Sequence, residues 1–256
     1  MNKMNDLRAQ NLRVEFARTA DEIAEAQRLR YQVFARELGA AIGDKDSEYD
    51  EDRFDAYCVH IVVRNDADRV VACSRILTQE AAARCGGFYS EAEFDLAPIL
   101  ALPGRVMEVG RICVHTDYRR GPAIALLLAG LARFMEDGPH DYLIGCGSVP
   151  LNPDRTQALR TVSTLIRHYG CPEPYRVTPR NPLPLFDGAS EEGEGDESAA
   201  PALLRAYMRL GAYVGGAPCL DPAFDVADVL IVLFRSRFNR RYLERLLGRS
   251  YKQQVA

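Results

Sequence analysis

The chain opens with LRVEFART, Leu12 to Thr19, in which apolar and polar positions alternate at the period of a half-buried strand. The next run, TADEIAEAQRLRYQVFARELG, changes to helical spacing, with Thr and Asp at its start, acids in its first turn and Gly39 at its end. Two apolar runs follow, CVHIVVRND and DRVVACSRIL, and Asn-Asp-Ala-Asp between them predicts a hairpin. GGFYSEAEFDLAPILAL reads as a loop with a short helix, in which Phe88 and Tyr89 suit a core or a fatty chain equally. A strand is predicted over Val106 to His115, a helix over Ala123 to Met135, a strand in DYLIGCGSV and a helix in RTQALRTVSTLIRHYG. DGASEEGEGDESAAP is poor in apolar residues and reads as a solvated loop. ALLRAYMRLGAYVGG predicts a helix, DVADVLIVLF a strand buried on both faces, and RSRFNRRYLERLLGRSYKQQ a basic helix. No internal repeat is visible. Antiparallel hairpins early and a strand–helix–strand unit in the middle imply an α/β fold of the α+β kind, a mixed sheet with helices on its faces.

Composition narrows the function classes. At 256 residues, 47% hydrophobic and 27% charged, the chain is long enough for a sizeable core. A formal net charge of −4 argues against a general polyanion binder, so no nucleic acid partner is expected. The seven cysteines form no C-x-x-C pair and several lie in apolar runs, which suits small core residues in a reducing compartment. Four scattered histidines give no metal-ligand spacing, so no metal is expected. With no leader-like start and no apolar run approaching a membrane span, a cytoplasmic protein is expected.

The stretch EVGRICVHTDYRRGPA concentrates the candidate chemistry. Strict alternation would put Glu108 and Arg111 on opposite faces, but Gly110 permits a bulge that turns both to one side and opens a slot beside the strand. The chain then turns through Arg119 and Arg120 and starts a helix at Pro122, a place where free amides and the helix dipole favour an anion. These residues fit an acyl cleft ending in a phosphate site; they equally fit a structural ion pair and an ordinary strand–helix corner.

Strand, turn and helix together resemble the acyl-donor signature of the GNAT acyltransferase superfamily, in which a splayed strand holds pantetheine and the next helix start holds its phosphate. The usual Gln/Arg-x-x-Gly-x-Gly/Ala appears as Tyr118-x-x-Gly121-x-Ala123, departing at its first position. RLRYQVFARELGA, DEDRFDAYCVHIVV, VVACSRILT and GGFYSEAEFDL resemble the acyl-carrier-protein-dependent branch that holds acyl-homoserine lactone synthases. PALLRAYMRLGAYVGGAPCLDPAFDVADVLIVL resembles the L-ornithine Nα-acyltransferases, which make lyso-ornithine lipid from 3-hydroxyacyl carrier protein.

The resemblance implies a polar tail over 1–13, a GNAT-like domain over 14–234 containing the acidic loop 187–200, and a basic amphipathic helix over 235–256. It implies acyl carrier protein as partner and co-substrate with no tightly bound cofactor, and L-ornithine as acceptor; the alternatives are another amino-acid amine, as in homoserine lactone signal or N-acyl amino acid synthesis, and a non-catalytic, membrane-associated acyl-binding module on the same scaffold. Pantetheine would lie along Ile112, Cys113 and Val114, with its phosphate at Arg119, Arg120, Gly121 and Ala123. Arg30, Asp50, Asp52, Asp55 and Arg75 would surround the acceptor, the acids reading ammonium groups and an arginine the carboxylate. If Asp52 and Asp55 lie one helical turn apart, their carboxylates share a face and can hold a cationic amine. Glu108 would be the general base and Arg111 its charge partner or a carbonyl-orienting group. Each of these residues also fits a structural ion-pair network. A Cys113/His115 nucleophile is disfavoured by the apolar surroundings of Cys113. In the last helix an apolar stripe of Phe238, Tyr242, Leu243, Leu246 and Leu247 faces Arg237, Arg240, Arg241, Arg245 and Arg249, which suits an anionic membrane surface or a packed stripe with a solvated face.

Overall fold

A computed structural model describes residues 8–9, 11–43, 46, 48–184 and 197–247. Most of the predicted acidic loop 187–200 and the last turns of the predicted terminal helix, Arg249 included, lie outside the described residues. In chain order the elements are β1 (Arg8–Ala9), β2 (Leu12–Phe16), α1 (Ala20–Tyr31), β3 (Val59–Asn65), β4 (Val70–Thr78), α2 (Gln79–Cys85), β5 (Phe94–Asp95), α3 (Ala97–Leu100) and β6 (Val106–Val114). They continue as α4 (Ala123–Asp137), β7 (Tyr142–Pro150), α5 (Arg155–Tyr169), β8 (Thr178–Pro179), α6 (Ala202–Leu210), β9 (Tyr213–Val214), β10 (Cys219–Asp221), β11 (Val226–Phe234) and α7 (Arg240–Leu247).

The chain divides into two compact units, the first formed by residues 1–86, 107–140 and 239–256, the second by 87–106 and 141–238. In the first, β1, β2, β3, β4 and β6 pair antiparallel in that order. The predicted hairpin is present, closed where Asn65 donates its amide to Arg69 and Asp68 takes a φ of 62°. One face of this sheet presents Val62, Cys73 and Cys113 to Ala26, Leu29 and Val33 of the segment built on α1. The alternate residues Ile61, Val63, Ala72 and Ile76 point the other way and are fully buried where α4 packs on β2, β3 and β4. Helices thus cover both faces.

Helix α1 begins where the sequence predicts, with Thr19 accepting from the Glu22 amide and the Glu22 carboxylate accepting from the Thr19 amide. It continues as a π-helical stretch over Gln32–Glu37, a widening that the apolar periodicity did not signal. Helix α4 starts at Ala123 rather than at Pro122. Pro122 is its N-cap, outside helical geometry at ψ 1°, and its carbonyl takes the first helical bond from the Leu126 amide.

In the second unit β11 pairs antiparallel with β7 over nine residues, from Val226 opposite Pro150 to Phe234 opposite Tyr142, and with β9 and β10 along its other edge. Ala227 and Val229 to Leu233 are at most 1% exposed, in agreement with a strand buried on both faces.

The terminal segment differs from one continuous helix. Arg235–Arg237 is a 3₁₀ turn, Phe238 is extended, and the helix proper begins at Arg240. Phe238 therefore does not join the predicted stripe, and Arg237 is no part of a solvated helix face: its guanidinium stacks 4.2 Å from the Tyr213 ring centroid and donates Nε to the Gly211 carbonyl. Within the first unit, Arg240 meets Glu136 of α4 at 3.0 Å.

Candidate active site

Three turns of helix from the Thr19 cap put Gln27 and Arg30, three residues apart, on one side of α1. Arg30 donates Nε to Asp50 Oδ2 at 2.8 Å, Nη1 to Asp55 Oδ1 at 2.8 Å, and Nη2 both to Asp55 Oδ2 at 3.0 Å and to the Asp50 carbonyl at 2.6 Å. From β4, Arg75 closes a second fork: Nη1 reaches Asp52 Oδ1 at 2.6 Å and Asp55 Oδ1 at 2.9 Å, and Nη2 reaches Asp52 Oδ2 at 2.7 Å. Arg111 from β6 completes the set, with Nε to Asp50 Oδ2 at 3.0 Å and Nη2 to Asp52 Oδ2 at 3.3 Å. Three guanidinium groups thus interleave with three carboxylates drawn from residues 50–55, and the formal charges cancel.

Asp52 and Asp55 do not form a helical turn with an open pair of carboxylates. Asp55 donates its amide to the Asp52 carbonyl at the start of a 3₁₀ turn, Asp55 Oδ2 accepts from the Asp52 amide, and the cation shared by the two side chains is Arg75. Burial opposes ionisation of Asp55, but the hydrogen bonds of Arg30 and the charges of Arg30 and Arg75 hold its carboxyl well below the usual range. Burial and the same balance, here with Arg75 and Arg111, leave Asp52 lowered as well. His60 stands behind them, donating Nε2 to the Asp55 carbonyl at 2.9 Å, and burial lowers its pKa.

The bulge in β6 is present, one residue later than Gly110. Arg75 pairs with Gly110 and Cys73 with Cys113, so Arg111 and Ile112 together oppose Ser74. Arg111 adopts the left-handed φ of 52°, and Ser74 Oγ donates to the Gly110 carbonyl beside it. Leu77 faces Glu108, and cross-strand partners share a face, so Glu108 points to the Arg75 side of the sheet and the bulge returns Arg111 to that side. Glu108 is buried near Cys58, whose thiol is pushed up to about 12 by burial, with Glu108 among the acids adding to the shift.

Exposure separates the members. Arg30, Asp50, Asp55 and Arg75 are 1%, 2%, 4% and 4% exposed, whereas the side chains of Asp52 and Arg111 are 24% and 11% exposed. The network is a buried lattice that reaches outward at Asp52 and Arg111.

The donor stretch is only partly assembled as expected. Cys113 is core: its Sγ lies 3.5 Å from Cys73 Sγ across the strands, and burial raises its thiol pKa, which agrees with the case against a nucleophile. Ile112 and Val114 are half-buried. Tyr118, at the departing position of the signature, accepts from Asn65 Nδ2 at 2.9 Å. Arg119 forms a two-pronged pair with Glu37 and donates Nε to the Val114 carbonyl, so its charge is balanced within the fold. Arg120 and Gly121 are exposed, Ala123 is buried, and no side chain caps the start of α4.

Sequence reasoning missed a cluster in the second unit, where Glu93, Cys146 and Asp228 bring one ligand atom each within 4.8 Å of one another. These residues are far apart in the chain and share no spacing motif, so no local signal pointed to them.

A family model described as acetyltransferase (GNAT) domain matches residues 29–129, the segment that carries the network, the bulge and the donor turn. The chain is 34% identical over 241 residues to the L-ornithine N(alpha)-acyltransferase of Rhodobacter capsulatus, covering 90% of this chain and 93% of the relative. It is 36% identical over 250 residues to the protein of the same name from Rhizobium meliloti, covering 92% and 84%. Among solved structures, the fold is similar to the AHL synthase LasI, at a TM-score of 0.52 and 15% identity over 94% of this chain and 95% of that one. It is also similar to TofI in a ternary complex with an inhibitor and MTA, at a TM-score of 0.54 and 17% identity over 92% and 97%. With that identity sustained along nine-tenths of its length, on a GNAT fold with helices on both faces of an antiparallel sheet, the chain is an acyltransferase and belongs to the L-ornithine Nα-acyltransferase family.

Proposed function

We propose that the protein transfers a 3-hydroxyacyl group from acyl carrier protein to the α-amine of L-ornithine, giving lyso-ornithine lipid. The observation that carries this reading is the shared name of relatives at 30–36% identity along about nine-tenths of the chain. The amine attacks the thioester carbonyl, the C–N bond forms, and the C–S bond breaks to release the carrier thiol. Glu108 takes the amine proton and passes it to the departing thiolate, and Arg111 orients the carbonyl and balances the charge that develops on its oxygen. Asp52, which reaches outward beside Arg111, meets an ammonium of the acceptor; Arg30, Asp50, Asp55 and Arg75 hold both in place. The uncapped start of α4, with Arg120 beside it, receives the phosphate of the pantetheine arm.

Purified protein should be assayed with 3-hydroxyacyl carrier protein and with the matching acyl-coenzyme A, each against L-ornithine, L-lysine and homoserine lactone. Product from the carrier protein and ornithine alone is the expected result. Turnover from coenzyme A would reassign the donor, and preference for another amine would reassign the acceptor.

A further inference from the structure

In the second unit, three separate segments bring their ligand-bearing side chains to one place. Cys146 of β7 pairs with Leu230 of β11 and Ser148 with Asp228, so Cys146 and Asp228 are diagonal neighbours on one face of the pair. Glu93 arrives from the turn that follows α2, held by its own amide to the Ser90 carbonyl and by the Arg180 amide to its carbonyl. One ligand atom from each lies within 4.8 Å of the other two. Glu93 is 9% exposed, and its Oε2 accepts no hydrogen bond. Its carboxyl is surrounded by a low dielectric and further acids, Asp228 first and then Asp221. An orphaned carboxylate oxygen in such a place calls for a positive ligand.

Two cations come into question, an ammonium and a metal. An ammonium bonded at about 2.8 Å to each acceptor wants those acceptors about 4.6 Å apart. A tetrahedral metal with bonds of about 2.0–2.3 Å wants its ligands about 3.3–3.8 Å apart. Ligand atoms within 4.8 Å of one another admit either geometry, so the donor set decides. A sulfur ligand suits a borderline metal and is a poor partner for an ammonium. We propose that Glu93, Cys146 and Asp228 form a binding site for one divalent cation of the zinc class, held by two carboxylates and a thiolate with water in the fourth position. Binding releases the thiol proton and any proton shared by the carboxylates, since the metal takes the deprotonated groups. The site ties the segment after α2 to β7 and β11, and it is independent of the ornithine reading.

The test uses the full chain stripped with a chelator. Cobalt is titrated in, followed by the thiolate-to-cobalt absorption band and by metal content, and zinc is then used to displace it. One cobalt per chain, displaced by zinc and not by magnesium, is expected. Outer-shell changes typically cost about 10–100-fold in metal affinity, so Glu93→Gln with Asp228→Asn should cost at least that. Cys146→Ser should abolish the band. A measurement without variants runs beside these: bound zinc should protect Cys146 from maleimide, located by mass spectrometry. Lack of saturable binding at micromolar metal, an unchanged labelling rate at Cys146, or a band that survives Cys146→Ser would overturn the site. Displacement of cobalt by millimolar L-ornithine would show an ammonium pocket and overturn it too.

Discussion

Glu108 and Asp55 are both buried acids, yet their neighbours set them different tasks. Asp55 is gripped by two guanidinium groups and a backbone amide, and removal of one charge from such a pair costs about 3–5 kcal/mol because the partners stay buried. Asp55→Asn should therefore lower the urea midpoint at an unchanged slope. Asp52→Asn, at the exposed edge, should move stability much less and acceptor KM more. Equal stability losses from both would mean that Asp52 is as structural as Asp55. Glu108 shares the Arg75 face, and on the proposed mechanism its task is basicity. Glu108→Gln keeps size and hydrogen bonding and should lower kcat by about 10²–10⁴ with the acidic limb of the pH–rate profile lost. A kcat within about threefold of the wild type would place the base elsewhere.

At the scale of elements, the donor turn and α7 make separable predictions. Arg119 and Arg120 are adjacent in sequence, but only Arg119 has its charge met by Glu37 and its Nε by the Val114 carbonyl. Arg120→Glu should raise the donor KM and weaken its salt dependence while leaving the melting temperature in place, whereas Arg119→Glu should also destabilise the turn. A donor KM unchanged in Arg120→Glu would remove the phosphate role from this corner. Helix α7 meets α4 through Arg240 and Glu136, a contact of its polar side that leaves open what its apolar stripe faces. Each Lys or Arg near an anionic bilayer contributes about 1 kcal/mol, so a membrane role predicts that truncation after Phe234 abolishes sedimentation with anionic vesicles and spares the assay in detergent. Full-length protein that ignores such vesicles at low salt would leave α7 a packing element alone. Among the described residues no helix is long and apolar enough to cross a membrane.

For the whole molecule, the ionic network links stability to pH. Asp52 and Asp55 have folded pKa values below their unfolded ones, so their contribution is complete above about pH 4 and is lost as pH falls through the lowered values. His60, buried and lowered, adds an earlier loss: its contribution is present above about pH 6.5 and declines as the unfolded chain begins to take up the proton. Glu93, raised to about 8 by burial and by Asp228, acts in the opposite sense between about pH 8 and 4.5, so the His60 contribution is read as the difference between the wild type and His60→Gln. In chemical denaturation that difference should change below about pH 6.5, and both proteins should fall steeply below about pH 4. A difference that stays constant from about pH 8 to 4 would show that His60 is not held neutral.

Much of the architecture follows from local pattern. Period-two alternation placed β2, apolar runs placed β3 and β4, strand-like runs placed β6 and β7, Thr19 with an acidic first turn placed the start of α1, and Asn-Asp-Ala-Asp placed the hairpin, because each depends on neighbours within a few residues. The members of the network were legible as residue types in an order, and their meeting through forked contacts agrees with that order. What only the tertiary structure decided is which of them face outward. Arg30 and Arg75 are buried under the elements that cross them, Asp52 and Arg111 are not, and no pattern within the segment 50–55 distinguishes Asp52 from Asp55. The bulge was visible as a glycine, but its left-handed residue is Arg111, fixed by the register with β4 rather than by the residue with the freest backbone. The pairing of Arg119 with Glu37 and the gathering of Glu93, Cys146 and Asp228 depend on long-range chain closure. Contacts of that kind leave no period in a sequence, because their partners are set by the packing of whole elements.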